Sequence, residues 1–190
     1  MALRIYLDHA ASSPVVPEAA AAMAEQLGVP GNPASLHASG RAARRTLEEA
    51  RESLAADLGA RATEIVFTSG GTEANNLALL GALRGGRTEL AVSAIEHPSV
   101  AAVRDRVPVA VLPVDPSGHL DLAAAGGLVG PRTALVSVMW VNNETGAVQP
   151  VAGVAELAHA AGALAHSDAV QAFADIEHQV PAVARGQSLD

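Results

Sequence analysis

Of the 190 residues, 49% are apolar and 17% charged, and both kinds are spread along the length, as in globular proteins with material for one core. A net charge of −8 without any cluster of basic residues argues against a phosphate-backbone partner such as DNA or RNA. All twelve basic residues are arginine and cysteine is absent, so these residues can build no lysine chemistry, disulfide or thiolate metal site.

The opening, Met1-Ala2-Leu3-Arg4-Ile5-Tyr6-Leu7-Asp8, holds no apolar core with a cleavage site. No later run approaches the ~20 apolar residues of a membrane span. The expectation is a cytoplasmic protein with no membrane partner.

Two Pro-rich stretches, Ser13-Pro14-Val15-Val16-Pro17 and Val29-Pro30-Gly31-Asn32-Pro33, read as loops. Apolar residues at Ala43, Leu47, Ala50 and Leu54, with Arg and Glu between them, predict an amphipathic helix over 39–58 that stops near Gly59. The β-branched stretch Glu64-Ile65-Val66-Phe67-Thr68 predicts a strand, Gly70-Gly71 breaks it, and a helix follows over 72–83. From there strands at 90–94, 107–112, 134–141 and 163–167 alternate with helices at 99–106, 120–128 and 151–161. The strands are nearly continuous apolar runs, which suits a mostly parallel sheet covered on both faces by crossover helices. The fold class is therefore α/β, three-layered. One domain, 16–190, with an amino-terminal arm over 1–15, is the simplest organisation.

Four places carry chemistry. Thr68-Ser69-Gly70-Gly71-Thr72-Glu73 turns through two glycines into a helix start, where open N–H groups and a dipole worth ~0.3–1 kcal/mol attract phosphate. An ordinary N-capped turn explains the same residues and, locally, explains them better. In Ala94-Ile95-Glu96-His97-Pro98 a histidine follows a strand on the side where open α/β sheets bind ligands, and it could stack on a ring and carry protons. A plain helix cap is the alternative.

In His166-Ser167-Asp168-Ala169-Val170-Gln171 an acid at a strand end could keep a pyridine nitrogen protonated, and Gln171 could donate to a ring oxygen. A Mg²⁺ ligand or a strand-end cap explains Asp168 equally simply, and a surface amide explains Gln171. Val141-Asn142-Asn143-Glu144-Thr145-Gly146 places two amides after the most apolar strand, and an Asn-rich turn with Gly146 at positive φ is the competing reading.

Taken together the order and spacing resemble one family. Leu7-Asp8-His9-Ala10-Ala11-Ser12-Ser13-Pro14, Gly31-Asn32-Pro33-Ala34-Ser35-Leu36-His37, the segment from Phe67 through Gly71-Thr72 to Asn76, Glu96-His97-Pro98, Val141 to Gly146 and Asp168-Ala169-Val170-Gln171 are similar to successive motifs of the cysteine desulfurases, in the nitrogen-fixation and iron–sulfur-cluster branch. The resemblance runs from Leu7 to about Ala172. His9, where the family often has Asn, and Ser12-Ser13, where it often has Thr, are conservative departures.

The resemblance implies the fold type I architecture of pyridoxal 5′-phosphate (PLP) enzymes among class V aminotransferases, and a homodimer. It implies conversion of L-cysteine to L-alanine with an enzyme persulfide, whose sulfur passes to an iron–sulfur scaffold or another acceptor. By motif match, Gly71 and Thr72 would hold the PLP phosphate, and His97 would stack on the ring and move protons. Asn143 and Gln171 would contact ring substituents, Asp168 would pair with the pyridine nitrogen, and Asn32 would lie on the substrate side. No metal is implied.

The family continues into a Ser-x-His-Lys motif whose lysine binds the cofactor covalently, and this chain stops at Asp190, with Gln187-Ser188-Leu189-Asp190 resembling the run-in. The expectation is therefore an amino-terminal portion of a desulfurase, inactive alone, holding PLP non-covalently at best. Two alternatives stand beside it. One is a non-catalytic PLP-binding or regulatory partner of a full-length desulfurase, and the other is a selenocysteine lyase or another class V relative.

Overall fold

In a computed structural model of the chain, residues 5–173 are described. They fall into two compact units divided between Val66 and Phe67.

The first unit is helical. Helix α1 (Pro17–Leu27) starts with proline in its first turn, where the missing N–H costs nothing, and runs through alanines without burying any residue. The sequence analysis assigns no element to this stretch, whose apolar residues are nearly all alanine and give little contrast with their polar neighbours. Helix α2 (Ala38–Leu58) matches the expected 39–58. His37 caps it by accepting the Gly40 N–H at 3.3 Å, and Gly59 ends it at φ 63°, a left-handed turn that glycine makes without strain. The segment expected as a strand over 64–68 is not in the sheet. A 3-10 turn, Ala62–Glu64, precedes Ile65, whose backbone is extended. β-branched side chains favour extension, but a strand also needs a neighbouring ladder.

The second unit holds helix α3 (Gly71–Gly81) and a four-stranded sheet. Its strands are β1 (Glu89–Ser93), β2 (Val109–Leu112), β3 (Thr133–Ser137) and β4 (Leu164–His166). The spatial order is β2-β1-β3-β4 and every pair is parallel. Helix α4 (Pro98–Ala101), extended by a 3-10 turn over Ala102–Asp105, connects β1 to β2, and α5 (Leu122–Gly126) lies between β2 and β3. Helix α6 (Val151–Ala160) connects β3 to β4. Among the described residues no helix is long and apolar enough to cross a membrane.

Both faces of the sheet are covered, as the continuous apolar strands predict. Ala91 and Val136 pack with Ala125, Val154 and Ala158 of α5 and α6. Leu90, Val92 and Leu135 pack with Leu79 of α3 and Val100 of α4. The register sets Ala91 opposite Val136 and Leu90 opposite Leu135, so each core is built from paired positions on one side of the pleat. The strand expected over 134–141 is regular only to Ser137, the last residue in register with β4, although the Trp140 N–H still donates to the Asp168 carbonyl at 2.9 Å. The remaining expected strands and helices appear within a few residues of their predicted bounds. The run-in expected at Gln187 to Asp190 lies outside the described residues.

This topology has one consequence for function. The chain leaves β1 in one direction along the sheet to β2, and leaves β3 in the other to β4. The connections leaving these two paired strands therefore diverge, and such a switch point opens a crevice for ligands beyond their carboxyl ends.

Candidate active site

Three segments rise from the carboxyl ends of the strands. After β1 comes Glu96-His97, after β3 the turn at Asn142-Asn143, and after β4 Asp168. The first turn of α3 joins them: a Cβ placed on Gly71 would sit 3.5 Å from the Val170 side chain, two residues past Asp168. Gly71 and Thr72 are exposed there, and a helix start leaves its first N–H groups without intrahelical acceptors. Glu73 folds back so that its Oε2 accepts from the Ser69 N–H at 2.6 Å and the Ser69 hydroxyl at 2.7 Å. The backbone donor first, then the hydroxyl, hold the Glu73 carboxyl below the usual carboxylate range.

His97 is the N-cap of α4. Its Nδ1 accepts the Ser99 N–H at 3.1 Å and lies 2.8 Å from the Ser99 hydroxyl, while the ring is exposed. Asp168 is half-buried; its Oδ1 accepts the Val170 N–H at 3.0 Å and its Oδ2 accepts the Asn75 Nδ2 at 2.8 Å. The same Asn75 nitrogen donates to the Ser99 Oγ at 3.0 Å. His97 and Asp168, expected to act in one crevice, are thus tied together through Asn75 and Ser99, which sequence reading did not single out.

Glu96 lies under this surface. Its Oε1 accepts the Ser93 hydroxyl at 2.5 Å and the Met139 N–H at 2.6 Å, which bridges β1 to the chain leaving β3 across the switch point. Its Oε2 is buried with no hydrogen-bond partner among the described residues. Burial pushes the Glu96 carboxyl above the usual carboxylate range, the Asp168 charge pushes the same way, and the two donors oppose them. His166, whose Nδ1 lies 2.9 Å from the Ser137 hydroxyl, moves the other way: burial lowers it below the usual imidazole range against the pull of Asp168.

Asn142, expected only as part of an Asn-rich turn, organises that turn. It is buried; its Oδ1 accepts from the Glu144 N–H, the Thr145 N–H and the Thr145 hydroxyl, and its Nδ2 donates to the Ile95 carbonyl at 3.0 Å. Gly146 takes the positive φ the turn requires, at 73°. Asn143, by contrast, is half-buried with its Nδ2 turned to Glu144 Oε1 at 3.2 Å. Gln171 sits half-buried in the turn after Asp168, where the Ala172 and Phe173 N–H groups donate to the Ala169 carbonyl. Asn32 belongs to the first unit, where its Oδ1 accepts the Ala34 N–H at 2.9 Å.

The family described as Aminotransferase class-V matches residues 5–184. The chain is similar to a cysteine desulfurase of Cereibacter sphaeroides, with 48% identity over 98% of this chain and 50% of that one. It is 45% identical to a cysteine desulfurase of Gluconacetobacter diazotrophicus, over 90% of this chain and 46% of the relative. Among solved structures, a NifS-like protein from Rickettsia africae superposes with a TM-score of 0.85 at 32% identity, covering 94% of this chain and 51% of that one. DndA from Streptomyces lividans gives a TM-score of 0.73 at 38% identity, over 90% and 51%. The chain spans about half the length of the curated relatives it matches. The parallel sheet, its flanking helices and these matches share one conclusion: the chain belongs to the class-V aminotransferase family, with the fold of its NifS-like, cysteine-desulfurase members.

Proposed function

We propose that these 190 residues are the amino-terminal portion of a PLP-dependent cysteine desulfurase and supply its phosphate, ring and proton-handling contacts. One observation carries the reading: a hydrogen-bonded chain from Asp168 through Asn75 and Ser99 to His97, anchored on the helix whose first turn holds Gly71 and Thr72. Relatives in this family are PLP-dependent in general. The residues present fit that group. α3 is three turns long and begins on two glycines with exposed first-turn positions, as a phosphate requires. Asp168 lies behind it with one oxygen fixed by Asn75 and the other by Val170.

When bound, PLP supplies an electron sink that weakens bonds at the carbon of an attached amino acid. The chain's own residues then divide the remaining work. Gly71 and Thr72 would bind the phosphate, and Asp168 would hold a proton on the pyridine nitrogen. Asn143 and Gln171 would orient the ring substituents. His97, with Nδ1 occupied, would present Nε2 to carry a proton. Asn32 enters on motif resemblance as a substrate-side residue, and residues 1–15 as an arm of the complete enzyme.

L-cysteine would leave as L-alanine, with its sulfur transferred to a cysteine thiol as a persulfide. Neither that thiol nor a lysine to hold PLP is among these residues, so they would bind PLP non-covalently and release no alanine by themselves. A homodimer, a sulfur acceptor such as an iron–sulfur scaffold, and a cytoplasmic setting belong to the same proposal.

The absence of lysine and cysteine also favours a second reading, a PLP-holding partner of a complete desulfurase without chemistry of its own. Alanine release from L-cysteine separates the two, assayed with the gene product purified from its source cells beside the isolated 190 residues. The first reading predicts a longer product that releases alanine and loses that activity in His97→Ala while still binding PLP. A source-cell product of this length that releases no alanine supports the second, and retained activity in His97→Ala overturns the role of His97.

A further inference from the structure

Asn75 is a polar residue at a core position of α3: it is 4% exposed and lies four residues before Leu79, which is fully buried. It lies one helical turn beyond Gly71 and Thr72, on the same side of the helix. Its amide nitrogen reaches two segments distant in sequence, Asp168 Oδ2 at 2.8 Å and Ser99 Oγ at 3.0 Å. Turning the amide over would set its oxygen against the Asp168 carboxylate, two acceptors face to face, so the orientation with nitrogen towards Asp168 is the one that chemistry allows.

That orientation fixes the direction of every bond in the chain. The two Asn75 hydrogens go one to the carboxylate and one to the Ser99 oxygen. Having accepted, the Ser99 hydroxyl has its single hydrogen left for His97 Nδ1, 2.8 Å away. The Ser99 N–H points at the same nitrogen from 3.1 Å. With two donors aimed at it, Nδ1 carries no proton, and the neutral ring keeps its hydrogen on Nε2, on the exposed side.

We infer that Asn75 is a positioning residue that fixes the Asp168 carboxylate and, by orienting the Ser99 hydroxyl, adds to the Ser99 backbone N–H in holding His97 as its Nε2–H tautomer, so that one buried amide touches both the acid and the proton carrier. The Asp168 half of this inference rests on the PLP reading above; the His97 half does not.

The test uses the 190-residue chain with ¹⁵N-labelled histidine and two variants, Asn75→Ala and Ser99→Ala, with circular dichroism to verify helix content. In the wild type, the His97 nitrogen shifts should report the Nε2–H form almost alone at a pH where the ring is neutral. Both variants should raise the Nδ1–H fraction of His97 above the wild-type level, and only in part, because the backbone N–H of residue 99 still reaches Nδ1 in each. PLP affinity, titrated by absorbance, should fall about tenfold in Asn75→Ala, as expected for losing a hydrogen bond to a charged group. It should fall less than about threefold in Ser99→Ala, which keeps the Asn75–Asp168 bond.

An unchanged His97 spectrum in both variants overturns the inference, and so does wild-type PLP affinity in Asn75→Ala. Should Asn75→Ala lose its helix signal, Ser99→Ala, which removes a single oxygen, decides the tautomer alone. A wild-type chain that binds no PLP sinks the cofactor reading, while the tautomer measurement still decides the role of Asn75 towards His97.

Discussion

The polar side chains beneath the switch point and those above it are spent differently. Beneath, Glu96 and Asn142 are buried and hold the chain leaving β1 to the chain leaving β3: Glu96 through Met139, Asn142 through Ile95. Above, His97 and Thr72 are exposed, and Asp168 is half-buried on the network that Asn75 begins. The contrast separates building from acting. A side chain whose atoms are consumed in the protein shapes a loop, and one that is held on one side and open on the other can meet a ligand.

Substitutions on the two levels should therefore fail in different assays. Asn142→Ala gives the largest expected loss of stability, because three donors around its Oδ1 and the Ile95 carbonyl lose their partner together. About 3 kcal/mol is expected from chemical denaturation, somewhat less if water enters the turn. A loss under about 1 kcal/mol would break the distinction between the two levels.

Glu96→Gln sharpens it through pH. The folded state raises the Glu96 carboxyl above its ordinary 4.5, so the folded chain binds that proton more tightly than the unfolded one. The resulting stability is complete below 4.5 and is lost as pH rises through the raised value. Glutamine does not titrate, so the stability of wild type relative to Glu96→Gln should fall with rising pH over that window and stay level on either side. His166 has the opposite sign: it is lowered from 6.5, so its contribution is lost as pH falls from 6.5 through the lowered value. Replacing it by Asn should flatten that acid-side loss in urea denaturation measured at several pH values.

His97→Ala should have the smallest effect on stability. It removes an exposed cap from a short helix, worth about 1 kcal/mol or less. On the proposed desulfurase reading, with His97 as proton carrier, the same change in the complete enzyme should cost roughly 10²–10⁴ in the rate of alanine formation, the usual size of such a loss. A large stability loss with intact activity would place His97 among the building residues.

How much of this was legible follows from what each residue type signals. The helix read over 39–58 formed as Ala38–Leu58 because its apolar spacing and Gly59 are local signals. The sheet was legible from its apolar runs, though its strands are shorter than those runs, since a ladder lasts only as long as both neighbours do. Helix α1 was missed because its apolar side chains are nearly all alanine, which favours helix but gives little apolar contrast to read. At the site, His97 and Asp168 stood out as groups with chemistry at strand ends. Asn75 and Ser99 did not, because their role lies in contacts spanning 24 and 93 positions. One local sign was present: Asn75 is an amide four residues before Leu79, on the buried side of a helix, and a polar group there must have a partner.

The most direct measurement of the central claim, that the α3 start and Asp168 serve one PLP molecule, is calorimetric titration of the 190-residue chain with PLP and with pyridoxal, which lacks the phosphate. The account predicts saturable binding of PLP, weaker binding of pyridoxal, and weakened binding of both in Asp168→Ala. No binding of PLP, equal affinity for the two compounds, or an Asp168→Ala variant that binds like the wild type would contradict it.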